Sequence, residues 1–491
     1  MGTHGEIKFL ADSRWDRRVF GGTWRSSDGG SSEVIEPATG SVLAQVGFAN
    51  AADVAVAARS AAAAQPAWAA TAPRERALFF RKAAAALESN FDELATYIVR
   101  ETGSILPKAQ RELSEAITML HLAAAMPLQG HGQVLPSAPG RMSIARRIPH
   151  GVVGVISPFN APLVLSLRAV APALAAGNAV VLKPDPQTPV SGGFIIARAF
   201  EQAGLPEGLL HVLPGAVEAG EALVTDPHVR MIAYTGSTGA GRRVGELAGK
   251  HLKKVSLELG GKNSLIVLED ADLDLAASNA AFGAWLHQGQ ICMASGLILV
   301  HEKIAPALIR KLAEKANVLP VGDPARQHVA LGPIINQRQL QRVHNIVQDS
   351  VAAGARLEAG GIYEKLFYRP TVLSGVRPGM RAFEEEVFGP VANVVSFSSD
   401  DEAVALANHT EYGLAAAVIS PSVGRAMALG ERLNVGSLHI NDQTVNDECV
   451  NPFGGRGCSG NGGAVGGPAD WEEYTQWQWM TVKDTPPKYP F

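Results

Sequence analysis

Cysteine is scarce in this chain, and the motifs that usually mark a metal site are missing. The 491 residues include three cysteines, which are Cys292, Cys449 and Cys458. An odd and small number of cysteines argues against a disulfide framework and suits a reducing compartment. The sequence contains no CxxC pair and no HExxH motif. We therefore expect neither structural disulfides nor a metal ion.

Long apolar runs and an excess of charge are missing as well. Gly, Pro and charged residues interrupt even the richest apolar stretches before they reach membrane-spanning length, and residues 1–12 lack the apolar core of a signal peptide. The net charge is only −4 at pH 7, which gives no electrostatic reason to expect nucleic acid or an anionic membrane as a partner. The expected location is the cytoplasm.

The chain is long, and its first quarter has a helical sequence pattern. A chain of 491 residues exceeds what one hydrophobic core usually supports, so two or three domains are expected. Residues 51–126 are rich in Ala, with larger apolar side chains at helical intervals. Pro73 indicates a helix start and Gly103 a helix stop. This region is predicted to be scaffold.

Short β-branched runs separated by helical stretches begin after Arg146. Strands are predicted at 152–156, 179–183, 209–214 and 229–236, with a helix over about 190–203. A second alternating region runs from about 257 to 433, with strands predicted at 264–268, 297–300 and 392–397. This alternation predicts an α/β protein with parallel sheets, whose ligands bind at the carboxyl ends of the strands.

The tail contains a run of strand-forming residues at 472–482, with the sequence EEYTQWQWMTV. A lone strand in this position would leave an exposed edge, which proteins usually cover. A second subunit is the natural cover, so a homodimer or homotetramer is expected.

Three residues suit nucleophilic chemistry. Cys292 follows a Gln-Gly-Gln turn, and a thiolate is a strong nucleophile. Glu258 ends an apolar strand, where a buried carboxylate can serve as a general base. Asn160 follows a predicted strand, and its amide can donate to a developing oxyanion. Each also has a plain structural interpretation, as a core cysteine, a solvent-reaching carboxylate and an asparagine that bonds its own backbone.

A loop with the sequence YTGSTGAGR at 234–242 follows a strand and opens a predicted helix. Its glycines allow a ligand to approach the backbone closely. Ser237, Thr238 and the helix N-terminus can hold a phosphate. The pattern by itself is a weak signal, because many glycine-containing loops bind nothing.

Taken together, the motifs of this chain resemble those of the aldehyde dehydrogenase superfamily, over about residues 19–490. The motifs that carry the resemblance are SPFNAP (157–162), VLKP (181–184), TGST (235–238), LELGGK (257–262), GQIC (289–292), EEVFGP (385–390) and PFGG (452–455). Four further segments are similar to bacterial benzaldehyde dehydrogenases and related aromatic-aldehyde enzymes: LPSAPGRM (135–142), LHQGQICMA (286–294), HINDQ (439–443) and NGGAVGGPA (461–469).

The resemblance implies a Rossmann-like cofactor domain, a second α/β catalytic domain and a small β oligomerisation element. The implied cofactor domain comprises 1–126 and 143–257, and the implied catalytic domain comprises 258–440. The oligomerisation element comprises 127–142 and 467–491.

The resemblance also implies a role for each residue that falls on a family motif. Cys292 falls on the nucleophile, Glu258 on the general base, and Asn160 on the side chain that completes the oxyanion hole. The residues that fall on cofactor-binding positions are Phe159, Lys183, Gly236, Ser237, Gly241, Glu386 and Phe388. No metal is implied.

Four positions bear on the cofactor and the nucleophile. Phe159 stands where the family usually has Trp, so it keeps an apolar wall but cannot donate a hydrogen bond. Pro186 stands where many NAD-preferring members have a Glu that repels a 2′-phosphate, so NAD is expected and NADP use stays open. His287 raises the alternative of a Cys–His pair with Cys292. Cys449 precedes PFGG and is interpreted as a bystander.

The implied reaction is NAD(P)-dependent oxidation of an aldehyde, aromatic by the closer likeness, to the carboxylic acid. A Cys292 thioester forms and water activated by Glu258 hydrolyses it. One alternative is a CoA-acylating relative, in which CoA takes the acyl group. Another is a catalytically silent member with a structural role. The presence of both Glu258 and Cys292 argues against these alternatives.

Overall fold

The structure is a computed structural model and describes residues 9, 13–130 and 132–491. Its α-helices are α1 Ala51–Ala70, α2 Pro73–Glu88, α3 Phe91–Thr102, α4 Leu106–Ala125, α5 Pro162–Ala175, α6 Ile195–Ala203, α7 Val217–Thr225, α8 Thr238–Lys250, α9 Leu273–Trp285, α10 Ala305–Val318, α11 Gln337–Ala352, α12 Arg381–Glu384, α13 Asp400–Ala407, α14 Val423–Gly430 and α15 Ala469–Tyr474. A π-helical turn, Val190–Phe194, precedes α6 directly.

The strands are β1 Arg18–Phe20, β2 Trp24–Ser26, β3 Ser31–Ile35, β4 Val42–Gly47, β5 Gly132–Val134, β6 Met142–Pro149, β7 Val152–Ile156, β8 Ala179–Lys183, β9 Leu210–Val212, β10 Val229–Thr235, β11 Lys254–Glu258, β12 Ser264–Val267, β13 Leu297–His301, β14 Arg356–Ala359, β15 Tyr363–Glu364, β16 Phe367–Tyr368, β17 Thr371–Ser374, β18 Val391–Phe397, β19 Tyr412–Gly413, β20 Ala415–Ile419, β21 Ser437–Ile440, β22 Arg456–Gly457 and β23 Thr475–Val482.

The helices predicted from the Ala-rich first quarter are confirmed as α1 to α4. Helix α2 begins at Pro73, because proline suits the first helical turn, where its missing N–H has no partner to lose. Helix α3 ends at Gly103, which adopts a left-handed conformation with φ of 71°. The predicted helix over 190–203 is present as the π-helical turn followed by α6.

The first large sheet has the strand order β11-β10-β7-β8-β9-β1-β2. Strands β7 to β11 are parallel to one another, and β1 and β2 form an antiparallel edge. All five residues of β7 and of β8 are buried, as expected for a parallel sheet covered on both faces. The carboxyl ends of β7, β8, β10 and β11 therefore lie along one edge.

The second large sheet has the strand order β14-β17-β18-β13-β12-β20-β21, and only β14 at its edge is antiparallel among the described strands. Successive residues of a strand point to opposite faces. Accordingly, Ile266 packs in one hydrophobic cluster, while Leu265 and Val267 pack in another. The predicted α/β class, with two parallel-sheet regions, is confirmed.

A third sheet, β23-β6-β5, corrects the prediction for the tail. Residues 472–474 belong to α15, and only 475–482 form a strand. That strand is not a lone one, since all eight of its residues pair antiparallel with β6 of the same chain. Trp477 lies on this strand, half exposed, and the Arg147 guanidinium stacks 4.2 Å from its ring centroid. Within the described chain, the other edge of β23 has no strand partner.

In the described part of the chain, no helix combines the length and apolar character needed to cross a bilayer. The same residues contain no group of three or more His, Cys, Asp or Glu side chains arranged to hold a metal ion.

Candidate active site

The edge where the strands of the first sheet end carries Glu258. This residue closes β11 and pairs in register with Thr235 at the end of β10. The N–H of Gly236 donates a 3.0 Å hydrogen bond to the carbonyl oxygen of Glu258, which joins the two strand ends. The predicted base and the start of the predicted phosphate loop are therefore neighbours.

Cys292 lies beyond a strained turn that connects α9 to β13. His287, Gln288 and Gly289 have consecutive φ values of 49°, 57° and 66°, a conformation that is costly for the first two. Gln288 holds the turn, since its Nε2 donates to the carbonyl oxygens of Gly103 and Pro333 at 3.0 and 2.7 Å. A Cβ at position 289 would lie 2.2 Å from the carbonyl oxygen of Gly389, so only glycine fits there.

Asn263 anchors the Cys292 loop from the other side. Its Nδ2 donates to the carbonyl oxygens of Cys292 and Ala294 at 2.8 and 2.9 Å. Its Oδ1 accepts a 3.0 Å hydrogen bond from the N–H of Ala415 at the start of β20. The sequence interpretation missed this residue, although it directly follows the LELGGK motif.

The electrostatics of the site favour the neutral forms of both reactive groups. Cys292 is partly buried, and the loss of water around its thiol raises its pKa to about 12, helped by the Glu386 and Glu258 carboxylates. Burial also raises the pKa of Glu258 well above its usual range. Its Oε2 has no hydrogen-bond partner among the described residues. A buried oxygen in this state can receive a proton or a water molecule.

Arg168 is a buried cation that sequence interpretation did not single out. It lies on α5 and is 8% exposed. It forms an ion pair with Asp447, and its Cζ lies 5.0 Å from the centroid of the Phe453 ring. Its charge opposes the upward pKa shifts of Cys292 and Glu258, which places it in their electrostatic environment. One signal was available, because Arg168 is the single charged residue of helix α5.

Asn160 is buried and is held through its backbone. The Lys108 ammonium donates to the carbonyl oxygen of Asn160 at 2.7 Å and to the Glu112 carboxylate at 2.6 Å. Glu112 in turn accepts a 2.8 Å hydrogen bond from the N–H of Leu163, in the first turn of α5. This ion pair on α4 therefore fixes the backbone of Asn160 and the start of α5. These contacts do not use the side-chain amide of Asn160.

His287 does not form the pair with Cys292 that the sequence left open. Burial and the nearby Lys108 charge lower the pKa of His287 well below its usual range, which keeps the ring neutral. Neither ring nitrogen bonds the Cys292 thiol within the described residues. Burial raises the pKa of the Cys449 thiol to about 12, and the Glu115 carboxylate contributes to the rise.

Lys183 and the N-terminus of α8 line the same sheet edge. Lys183 is 8% exposed, and its ammonium donates to the carbonyl oxygens of Gly215 and Pro184 at 3.0 and 3.3 Å. Ser237 caps α8 and is exposed, with its hydroxyl 3.5 Å from the N–H of Ala240. A buried cation and a helix N-terminus at one edge fit the ribose and phosphate groups of a dinucleotide.

The glycines of this loop serve the fold in a way the sequence interpretation did not anticipate. A Cβ at Gly236 would lie 2.4 Å from the Tyr234 hydroxyl oxygen, and one at Gly241 would lie 2.3 Å from Cδ2 of Leu259. Both contacts are with the ends of side chains, so a larger residue at either position would have to displace the side chain of Tyr234 or Leu259.

Glu386 and Phe388 reach the site from the second sheet. Glu386 accepts a 3.2 Å hydrogen bond from the N–H of Gly261, and burial raises its pKa to about 7. Lys262 supports this segment by donating to the carbonyl oxygens of Ala382 and Glu385 at 2.7 and 2.8 Å. The structure thus brings Glu386 next to the strand end that carries Glu258.

An aromatic contact joins the two sides of the cleft. The rings of Phe159 and Phe388 pack edge to face, with centroids 5.9 Å apart. Phe159 follows β7 of the first sheet and Phe388 precedes β18 of the second. The two rings therefore form one continuous apolar surface between the two sheets.

Similarity to known proteins extends over nearly the whole chain. The model of the aldehyde dehydrogenase family matches residues 24–480. A vanillin dehydrogenase from Amycolatopsis sp. is 54% identical over 486 residues, covering 99% of this chain and 100% of the relative. A benzaldehyde dehydrogenase [NAD(+)] from Pseudomonas putida is 49% identical over 478 residues, covering 97% of this chain and 98% of the relative.

A solved NAD+ complex of aldehyde dehydrogenase from Bacillus cereus superimposes with a TM-score of 0.94. It is 33% identical in sequence, and the match covers 99% of this chain and all of the solved one. The resemblance drawn from the motifs is thereby confirmed, and this chain belongs to the aldehyde dehydrogenase family.

Proposed function

We propose that this protein oxidises an aromatic aldehyde to the carboxylic acid, with NAD as the cofactor and Cys292 as the nucleophile. The observation that carries the proposal is the position of Cys292 on an anchored loop, in the electrostatic environment of the buried Glu258 carboxylate. The names of the vanillin and benzaldehyde dehydrogenases support an aromatic substrate.

In the first half of the reaction, the Cys292 thiol gives up its proton to water, and the resulting thiolate attacks the carbonyl carbon of the aldehyde. The Asn160 amide and the backbone N–H of Cys292 donate to the oxygen that becomes negative, and each such donor is worth about 3–4 kcal/mol. When NAD is bound, its nicotinamide ring supplies the hydride acceptor. The acyl group is then left on Cys292 as a thioester.

In the second half, Glu258 removes a proton from water, and the resulting hydroxide attacks the thioester carbon. The C–S bond breaks, the acid leaves and the Cys292 thiol is restored. Glu258 acts as the base in its ionised form, and because burial raises its pKa, that form binds the proton of water more strongly than an exposed carboxylate would. A base placed beside the thioester favours water over CoA as the acyl acceptor.

The proposed cofactor residues offer NAD an ammonium group, a glycine-containing turn and a carboxylate group. Lys183 offers a buried ammonium for the adenosine ribose, and Gly236, Ser237 and Gly241 belong to the turn proposed for the pyrophosphate. Glu386 offers a carboxylate for the nicotinamide ribose, next to the Phe159–Phe388 wall. The NAD complex of the Bacillus cereus neighbour supports the same cofactor.

Asp185, next to Pro186, uses one carboxylate oxygen within its own turn. Its Oδ1 accepts hydrogen bonds from the backbone N–H and the side-chain amide of Gln187, at 2.9 and 3.2 Å. Because Pro186 carries no charge that would repel a 2′-phosphate, we propose that NAD is preferred while NADP is used measurably.

We also propose that different segments of the chain bind the cofactor, carry the nucleophile and mediate assembly. Residues 1–126 and 143–257 bind the cofactor, 258–440 carry the nucleophile, and 127–142 with 467–491 mediate assembly into a homodimer or homotetramer in the cytoplasm. The open edge of β23 and its exposed Trp479 support the assembly proposal. Light scattering of the purified protein tests it, and a fully active monomer would contradict it.

The activity is tested by absorbance at 340 nm with benzaldehyde and NAD, with and without CoA, and by identifying the product. Formation of benzoic acid at a rate independent of CoA is expected. Cys292→Ala should abolish oxidation while cofactor binding persists, and Cys458→Ala serves as the matched control that stays active. Benzoyl-CoA as the product, or full activity in Cys292→Ala, would overturn the proposal.

A further inference from the structure

We propose that Glu101 is a positioning residue for NAD, because its carboxylate caps the turn that follows the proposed adenosine ribose site. The inference rests on the cofactor site proposed above and adds a residue to it. It is carried by a continuous series of contacts that runs from α3 to the loop after β8.

Glu101 lies in the last turn of α3 and is fully buried. Both of its carboxylate oxygens accept a backbone hydrogen bond. Oε1 accepts from the N–H of Val190 at 3.0 Å, and Oε2 accepts from the N–H of Ser191 at 2.7 Å. These two N–H groups open the π-helical turn Val190–Phe194, at the end where helical N–H groups need a partner from outside. Glu101 therefore caps this turn from a different helix.

The capped turn is bonded to the loop that carries the proposed cofactor residues. The N–H of Gly192 donates to the carbonyl oxygen of Thr188 at 2.9 Å, and the N–H of Thr188 donates to that of Asp185 at 3.1 Å. A Cβ at Gly192 would lie 3.4 Å from Cβ of Pro184, so the turn packs against the residue that follows Lys183. A shift of the turn would therefore shift the loop that meets the adenosine ribose.

The charge of Glu101 makes this cap sensitive to pH. Burial raises the pKa of Glu101 to about 7, although the hydrogen bonds from the turn act in the opposite direction. The titratable groups that bear on it are Tyr97 on the same helix and Glu112 on α4, which is paired with Lys108. A protonated carboxyl group has an O–H donor where the turn needs an acceptor. Because NAD binds the capped form, its affinity should fall as the pH falls through 7.

The test measures the Kd of NAD by isothermal titration calorimetry in wild type and Glu101→Gln between pH 6 and 8. Gln keeps the shape but turns an NH₂ group toward one of the two N–H donors. We expect the Kd at pH 8 to rise about tenfold, the equivalent of one lost hydrogen bond, with a much smaller change in kcat at saturating NAD. The pKa of Glu386 is also raised to about 7. Its share of the pH dependence should remain in the variant, while the share of Glu101 disappears.

The matched control is Asp92→Asn, which removes an exposed carboxylate from the first turn of the same helix. It should leave the Kd of NAD and its pH profile unchanged. A wild-type Kd and pH profile in folded Glu101→Gln would overturn the proposal. A fall in kcat as large as the rise in Kd would overturn it too, because general damage to the fold predicts that result. Wild-type protein that does not bind NAD would instead contradict the proposed function itself.

A second measurement uses wild-type protein alone and does not depend on the folding of a variant. Hydrogen exchange, corrected for the intrinsic rate at each pH, reports how often the N–H groups of Val190 and Ser191 become exposed. Their protection should be weaker at pH 6 than at pH 8, and bound NAD should restore it. Protection that changes with neither pH nor NAD would show that Glu101 does not couple this turn to the cofactor.

Discussion

The side-chain amide of Asn263 donates a 2.8 Å hydrogen bond to the carbonyl oxygen of Cys292. Asn263 lies in the short link between β11 and β12, five residues after Glu258. This single contact connects the segment that carries the proposed base to the loop that carries the proposed nucleophile. The relative position of the two groups therefore depends on a residue that takes part in neither chemical step.

Replacing Asn263 by Ala should lower both kcat and the free energy of unfolding. The loss of three buried hydrogen bonds is expected to cost a few kcal/mol of unfolding free energy, at about 1 kcal/mol or more for each. A displacement of the nucleophile by about 1 Å should reduce kcat about a hundredfold. Urea unfolding and steady-state kinetics measure the two effects.

The control for that experiment is Asn279→Ala, which removes an asparagine that bonds only the Leu275 carbonyl oxygen of its own helix. Unchanged kcat in Asn279→Ala and reduced kcat in Asn263→Ala are expected. Wild-type kcat in folded Asn263→Ala would show that the contact does not position Cys292.

The reactivity of Cys292 should rise with pH through the neutral and alkaline range. Its thiol pKa is raised to about 12, so below that pH the group is mainly protonated and the thiolate fraction grows about tenfold with each pH unit. Iodoacetamide inactivation of the cofactor-free protein, followed between pH 6 and 9, should show this increase. A rate that is already constant above pH 7 would mean that the thiol is not perturbed upward.

Glu258→Gln should separate the two halves of the reaction. The amide keeps the shape but cannot accept a proton from water, so steady-state turnover should fall about a hundredfold to ten-thousandfold. Rapid mixing should still give a burst of NADH followed by a slow phase, with an acyl adduct on Cys292 in intact mass spectra. A burst that slows as well would indicate that Glu258 also deprotonates the thiol.

The matched control is Glu246→Gln, an exposed carboxylate on α8 that pairs with Arg243. It should leave both phases unchanged. If the Glu258→Gln variant showed wild-type rates in both phases, Glu258 would be a strand-end carboxylate without a chemical role.

Pro186→Glu should decrease NADP use more than NAD use. A carboxylate after β8 repels a 2′-phosphate but can bond ribose hydroxyls. The NAD-to-NADP ratio of kcat/KM should therefore rise, and Pro206→Glu, in the surface loop after α6, offers a control that leaves it constant. If the ratio is the same in Pro186→Glu, this position does not face the adenosine ribose.

The local elements of the fold could be predicted because their signals are local. The apolar runs of β7, β8 and β10 and the Pro73 and Gly103 helix boundaries appear in the structure within one or two residues. The tail was predicted less well. Its first three residues form the end of α15, and its strand pairs with β6 of the same chain, because β6 supplies an unpaired edge that no local pattern in the tail reveals.

The sequence by itself determined the α/β class, the family, and the identities of Cys292, Glu258 and Asn160 as candidates, because short motifs and the period of apolar residues carry that information. Only the tertiary structure decided that Arg168 meets Asp447, across 279 positions, and that Asn263 holds the Cys292 loop. Such contacts arise from how sheets and helices pack, and a single side chain in a sequence does not indicate its distant partner. The positioning of these side chains therefore depends on the three-dimensional fold.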